Sequence, residues 1–409
     1  MERDTSTQPY NINENIKARR SAILGAVFLM GLSAIGPGFL TQTTTFTMQL
    51  GASFAFVIFL SIILDLGAQL NIWRIITISN MRGQDIANKV IPGLGYFISI
   101  LVVMGGLAFN IGNVAGAGLG LNVFTGLSVE AGAMISAAIA IAIFLFKEAG
   151  RIMDKFIQLA GIIMIFLTIY IVLQSKPPVG EAFYRTFVPD APISALILAT
   201  VTLVGGTVGG YITFAGAHRL LDAGVHGASA IRDVSNGSLM GIGVTAIMRV
   251  ILFLAALGVI SQGFQLAATN PVASVFEHAA GNVGYLIFGV IMWAAAVTSV
   301  IGAAYTSVTF LRIFSSKVAE HQNKVIIAFI FISTIVFVSV GRPVEILIFV
   351  GALNGLILPL TLGPILLAAY RKDVVGDYKH PVWQTIFGVI VVVIMTVLSV
   401  QTLYHYFAN

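Results

Sequence analysis

Apolar residues in this chain run in long uninterrupted blocks separated by short polar stretches, and that pattern leaves few folds open. A helix needs about 20 such residues to cross about 30 Å of hydrocarbon, and the blocks lack the alternation of a half-buried strand. Eleven blocks, near 21–49, 52–73, 95–120, 128–146, 152–173, 192–220, 237–261, 281–312, 325–341, 344–370 and 382–406, predict an all-α integral membrane protein. Composition agrees: 57% of the 409 residues are hydrophobic, 10% are charged and the mean hydropathy is +0.96. That is too little charge to cover a soluble domain of this length.

The polar residues between blocks set an expected orientation. With the N-terminus inside, eighteen Lys and Arg fall on the cytoplasmic side, among them Arg19, Arg74, Arg82, Lys147, Arg219, Arg312, Lys324 and Arg371. The outer loops hold three, Lys176, Arg185 and Arg342, and Arg249 lies inside a block. Cationic loops stay in the cytoplasm, so residues 1–20 are expected to form a cytoplasmic tail. An odd number of spans then places the C-terminus outside a plasma membrane. The net charge of +5 belongs to this topology and gives no reason to expect a nucleic-acid partner. No cysteine is present, so disulfides, thiolate metal sites and thiol nucleophiles are excluded. No phosphate-binding GxxxxGK[ST] loop occurs, and no acid pair or Ser/His/Asp set shares one depth. Neither an enzyme nor a bound cofactor is expected.

Two blocks are interrupted. The first contains Gly36, Pro37 and Gly38, followed by Thr41, Gln42, Thr43, Thr44 and Thr45. The sixth contains Gly205, Gly206, Thr207, Val208, Gly209, Gly210 and Tyr211. Breaking a membrane helix frees carbonyls and amides that hydrocarbon cannot satisfy, so they must face protein or a hydrated cavity. Blocks one and six are the corresponding helices of an inverted five-plus-five arrangement. Its halves would be residues 21–173 and 192–370 of one transmembrane domain (21–406), with 382–406 an extra helix. Matched breaks of this kind point to a solute site near the bilayer midplane, here at Gly36, Thr41–Thr45, Gly206, Thr207, Gly209, Gly210 and Tyr211. The rival reading is that the glycines only let helices pack closely.

With these breaks, the order of several short motifs resembles the NRAMP family of divalent-metal transporters from Gly36 to Tyr404. They are Gly51-Ala52-Ser53, Gly118-Leu119-Gly120-Leu121-Asn122, Val204-Gly205-Gly206-Thr207-Val208, Leu358-Pro359 and Gly363-Pro364. The resemblance implies a LeuT-type fold of eleven helices, alternating access, and solute movement driven by a Na⁺ or H⁺ gradient. It also exposes departures. The family's Asp-Pro-Gly-Asn falls on Gly36-Pro37-Gly38-Phe39 in one register, and in the other its two ligands fall on Leu40 and Thr43. Met-Pro-His-Asn falls on Gly209-Gly210-Tyr211-Ile212, the next histidine on Gly216, the glutamine before Leu-Pro on Ile357, and the acidic Asp-x-x-Glu pair on Asn110 and Asn113.

A divalent cation gives up water only for carboxylate, imidazole or thioether ligands, and the two breaks supply none. The expected cargo is therefore a small organic solute bearing a carboxylate, moved with a coupling ion across the lipid bilayer. The alternative is proton-coupled uptake of a divalent metal through a rebuilt site; a non-transporting sensor is a third class. Further candidates for the cavity or the coupling site are the intramembrane charges Asp65 and Arg249, Asn110, Asn113, His218, and the hydroxyls Thr298, Ser299, Thr306 and Ser307 of block eight. Each has a plainer reading. Asp65 and Arg249 could pair with each other, His218 could be a basic residue at a cytoplasmic helix end, and helical hydroxyls commonly bond back to their own turn.

Overall fold

The computed structural model describes residues 12–408, and within them no strand is present. Seventeen helices run in order: α1 (Ile12–Ala34), α2 (Pro37–Leu50), α3 (Phe54–Ser79), α4 (Gly83–Val90), α5 (Leu94–Thr125), α6 (Val129–Leu145), α7 (Lys147–Ser175), α8 (Val179–Arg185), α9 (Ile193–Thr207), α10 (Ile212–Asp222), α11 (Ile231–Ser261), α12 (Pro271–Leu311), α13 (Ser316–Glu320), α14 (Gln322–Val340), α15 (Pro343–Ala368), α16 (Lys372–Val375) and α17 (Val382–Ala408). All eleven apolar blocks are helical, the first as α1 with α2 and the sixth as α9 with α10. By length and hydropathy alone, eight stretches among the described residues could cross a membrane, or nine counting the bent pair of α7 and α8. The measure joins α2 and α3 into one run of 43 residues, and the 17 residues of α6 fall short of a full span.

Local chemistry sets the ends. Pro37, Pro271 and Pro343 open their helices, where proline's missing N–H costs nothing. Ser128 and Asn270 cap α6 and α12 by accepting from Ala131 N and Ala273 N. The stretch after block two carries α3 six residues beyond the block, to Ser79. Asn80 adopts the left-handed conformation (φ 50°, ψ 33°), which asparagine tolerates better than most residues, and α3 ends there. Residues 262–280, between blocks seven and eight, hold the first turns of α12, which kinks at Gly281 (φ 63°).

The long helices α5 and α12 pack against each other through the interior. α9 meets α15 at glycines: a Cβ on Gly205 would stand 1.9 Å from the Gly351 carbonyl oxygen. Gly351 and Gly355, four residues apart on α15, leave the room that close membrane-helix packing needs. Apolar side chains also face outward, including Ile162, Phe166 and Leu173 on α7 and Val389, Val393 and Val400 on α17, each about half exposed or more. Together they make a surface suited to lipid. The buried interior between these faces contains the two helix breaks.

Candidate functional site

The first break is tighter than expected. Only residues 35 and 36 leave the helix, and Thr41–Thr45 are helical within α2. Proline at the first helical position restarts the helix directly after Gly36, so the threonines gain a regular backbone. Thr43 Oγ1 then donates to Phe39 O at 2.7 Å, whereas Thr44 Oγ1 and Thr45 Oγ1 have no partner. Thr41 is buried. The second break covers residues 208–211, while Gly205, Gly206 and Thr207 remain in α9. Gly210 takes φ +53°, and a Cβ there would stand 1.6 Å from Asn354 Oδ1. No side chain but hydrogen fits.

Most of the candidates converge here. A Cβ on Gly36 would lie 3.0 Å from Ser299 Oγ and 3.5 Å from Asn113 Oδ1, so α5 and α12 both reach the first break. Gln42 donates Nε2 to Leu347 O at 2.8 Å, and its unpartnered Oε1 faces Gly206. Tyr211 is fully buried, packs edge-on against Phe109 at 5.5 Å, and interacts with Asn113. Ser307 Oγ has no partner and faces Gly106, beside the Tyr211 ring.

The two intramembrane charges also meet at the breaks. Arg249 of α11 donates Nη1 to Thr207 Oγ1 at 3.2 Å. Thr207 is the last residue of α9, where the exposed carbonyls make the negative end of the helix dipole and favour a cation. The guanidinium lies over the Phe39 ring, 4.3 Å from its centroid. Asp65 of α3 interacts electrostatically with Arg249 and lies near Thr207, whose hydroxyl donates to Leu203 O. Both charged residues are 2% exposed, and Asp65 Oδ1, Arg249 Nε and Arg249 Nη2 lack hydrogen-bond partners.

Other candidates are engaged elsewhere. Thr298 and Thr306 donate to carbonyls of their own turns, Ala294 O and Gly302 O. Asn110 donates to Ser333 Oγ on α14 at 3.0 Å. His218 is fully buried, which overturns its reading as a plain basic residue at a helix end. Its Nε2 accepts from Gly83 N at 3.2 Å and its Nδ1 lies 3.1 Å from Thr309 Oγ1. Close by, Asp222 receives Arg82 and the Tyr305 hydroxyl, and Arg19 of α1 pairs with Asp233 of α11 at 2.5 Å. These bonds tie α1, α10, α11 and α12 together at one end of the molecule.

One central residue escaped the sequence reading: Asn354 of α15, fully buried. It donates Nδ2 to Gly105 O and Val350 O, while its unpartnered Oδ1 faces Gly105 and Gly210. The available signal was an amide between Gly351 and Gly355 in an otherwise apolar helix. Among the described residues, no three His, Cys, Asp or Glu converge on a point.

A bundle with two discontinuous helices, whose broken ends meet buried polar side chains, defines a secondary transporter of the LeuT fold, not an enzyme. The chain belongs to the natural resistance-associated macrophage protein-like family, whose pattern it matches over residues 27–405. It is 61% identical over 383 residues to an uncharacterised Bacillus subtilis membrane protein, YcsG, covering 94% of each chain. The fold is similar to that of the Eremococcus coleocola manganese transporter, solved with an aromatic bis-isothiourea compound. There the TM-score is 0.73 at 16% identity, with 97% of this chain and 88% of that one covered. MhsT in complex with L-phenylalanine shares it too, at TM-score 0.68 and 15% identity, covering 93% and 98%.

Proposed function

We propose that this transporter carries a small organic solute through its carboxylate, bound between the helix breaks and driven by an ion gradient. The observation that carries this reading is the position of Arg249. Its guanidinium touches both broken helices, at Thr207 and Phe39, and keeps Nε and Nη2 unpartnered while buried. An unpaired donor in that setting costs several kcal/mol in low dielectric unless an anion meets it. The N-termini of α2 and α10 add the positive ends of two helix dipoles. Thr44, Gln42, Asn354 and Ser307 offer unpartnered polar oxygens for the rest of a polar solute.

Divalent-metal transport is the second reading, favoured by the family and by the manganese transporter among its fold neighbours. The residues at the breaks argue against it. The groups lining the breaks themselves are hydroxyls and amides without formal charge, poor replacements for the hydration of a divalent ion, and the nearby Asp65 carboxylate already interacts with the Arg249 cation. The same fold accommodates an amino acid in MhsT.

The repeat halves, 21–173 and 192–370, belong to this reading, since each would open on a broken helix. A cytoplasmic N-terminus rests on the charge asymmetry. The deciding experiment is a thermal-shift and calorimetric screen of purified protein against manganese and a panel of carboxylates. Stabilisation by a carboxylate, lost in Arg249→Met, supports the proposal. Micromolar manganese binding lost on changing Thr41–Thr45 or Gly209–Tyr211 overturns it.

A further inference from the structure

We propose that Asp65 is the coupling-proton site, and that the solute's carboxylate replaces it as the partner of Arg249; the inference rests on the anion reading above. The two residues lie on the uninterrupted helices α3 and α11 and meet only through folding. They are not in direct contact, for no ion pair within 4.0 Å joins them. Thr207 lies near both, accepting from Arg249 and giving its one hydroxyl proton to Leu203 O, so it leaves the Asp65 carboxylate without a donor. Each charge is thus half-satisfied: Oδ1 of Asp65 and two nitrogens of Arg249 have no partner. An ion pair built only for stability would close that contact, since breaking or loosening a buried pair costs more than it returns.

A loosely held pair can change partners. In the solute-free protein Arg249 is the compensating charge for Asp65. His218 and Tyr211, the titratable groups nearest in sequence to the second break, are held by Gly83, Thr309 and Phe109. When a carboxylate binds Arg249, Asp65 loses its counter-charge. A lone carboxylate in low dielectric then takes up a proton. The charges balance at every stage. Arg⁺ with Asp⁻ sums to zero, and so does Arg⁺ with a solute carboxylate and a neutral Asp65. One proton enters with each bound monocarboxylate, and with such a cargo the site crosses the bilayer interior without net charge. Asn110 and Asn113 cannot hold that proton. The Thr207 hydroxyl places the exchange at the end of α9, beside the segment between α9 and α10.

The test uses the whole protein in lipid nanodiscs and proteoliposomes, with acetate, L-lactate, succinate, L-alanine and L-proline as probes. A probe that raises the melting temperature is expected to bind with uptake of one proton per bound molecule from a weakly buffered medium. Binding also generates an infrared band of a protonated carboxyl. Asp65→Asn is expected to retain binding and solute exchange while losing the band, the proton uptake and accumulation driven by a pH gradient. Asp65→Glu keeps the uptake and moves the band, which covers the case in which the asparagine variant fails to fold. Binding that depends on Arg249 without proton uptake, or with uptake unchanged in Asp65→Asn, overturns the proton site and leaves the anion reading standing. Manganese binding with no response to any carboxylate overturns the anion reading, and the proton site with it.

Discussion

Replacing Gly205 by alanine separates what a sequence rule says from what the packing allows. Both Gly205 in α9 and Gly243 in α11 are helix-interior glycines, and propensity alone credits either Gly→Ala change with up to about 1 kcal/mol. At Gly243 a new Cβ would meet nothing within 4 Å, so that gain should be realised. At Gly205 it would lie 1.9 Å from Gly351 O and 2.3 Å from Gly355 N. Carbon–oxygen contacts between packed helices settle near 3.3 Å, so the approach is short by about 1.4 Å. The obstacle is backbone, which no rotamer change removes, and α9 must back away from α15. Overpacking costs about 1–3 kcal/mol, and the backbone obstacle places this site at the upper end. Net of propensity, Gly205→Ala should be destabilised by about 1–2 kcal/mol and Gly243→Ala unchanged or slightly stabilised, a gap of several degrees in melting temperature. Scanning fluorimetry of the two purified variants beside the wild type measures it. A Gly205→Ala protein melting as high as Gly243→Ala would refute the close approach of α9 and α15, and with it the placement of the second break against Asn354.

Three further outcomes are expected. Asp222→Asn removes the charge that holds Arg82 and weakens its bond to Tyr305; the pair is only partly exposed, so stability should fall by an amount on the order of 1 kcal/mol while that end opens more often. The chain has no cysteine, so Ser307→Cys carries a single buried thiol whose labelling should accelerate severalfold in the Asp222→Asn background, and unchanged labelling would show that these bonds do not hold that end closed. Burial pushes His380 down to about 4, helped by Arg74, and its Nε2 meets Asn71 Oδ1 at 2.7 Å. The unfolded chain then binds the extra proton between about pH 6.5 and 4, so melting temperature should fall as pH drops through that window and stay level above it, with a shallower fall in His380→Gln. Finally, an impermeant maleimide added to intact cells should label Glu181→Cys and spare Ser316→Cys; the reverse pattern would invert the proposed orientation.

The all-helical membrane fold, the two interrupted helices and the missing metal ligands could all be read from the sequence. These are local properties. A run of apolar residues long enough to cross hydrocarbon, a proline or glycine cluster within it, and the absence of a carboxylate at a given position need no knowledge of neighbours. What α9 and α10 do at residues 208–211, and how little of the first span unwinds, already depended on context, because Thr43 found a carbonyl in its own helix once Pro37 had restarted it. The rest was decided only by tertiary packing. The order of residues offered a pairing of Asp65 with Arg249 and back-bonding of the helix hydroxyls only as alternatives; packing decided that the two charges lie near Thr207, that Thr298 and Thr306 bond to their own turns while Ser307 is left free, and that Asn354 fills the space beside Gly210. Those facts follow from which helix faces which, and in a membrane that choice is governed by close packing and by pairing of scarce polar groups, much of it between segments far apart in the chain that no local pattern encodes.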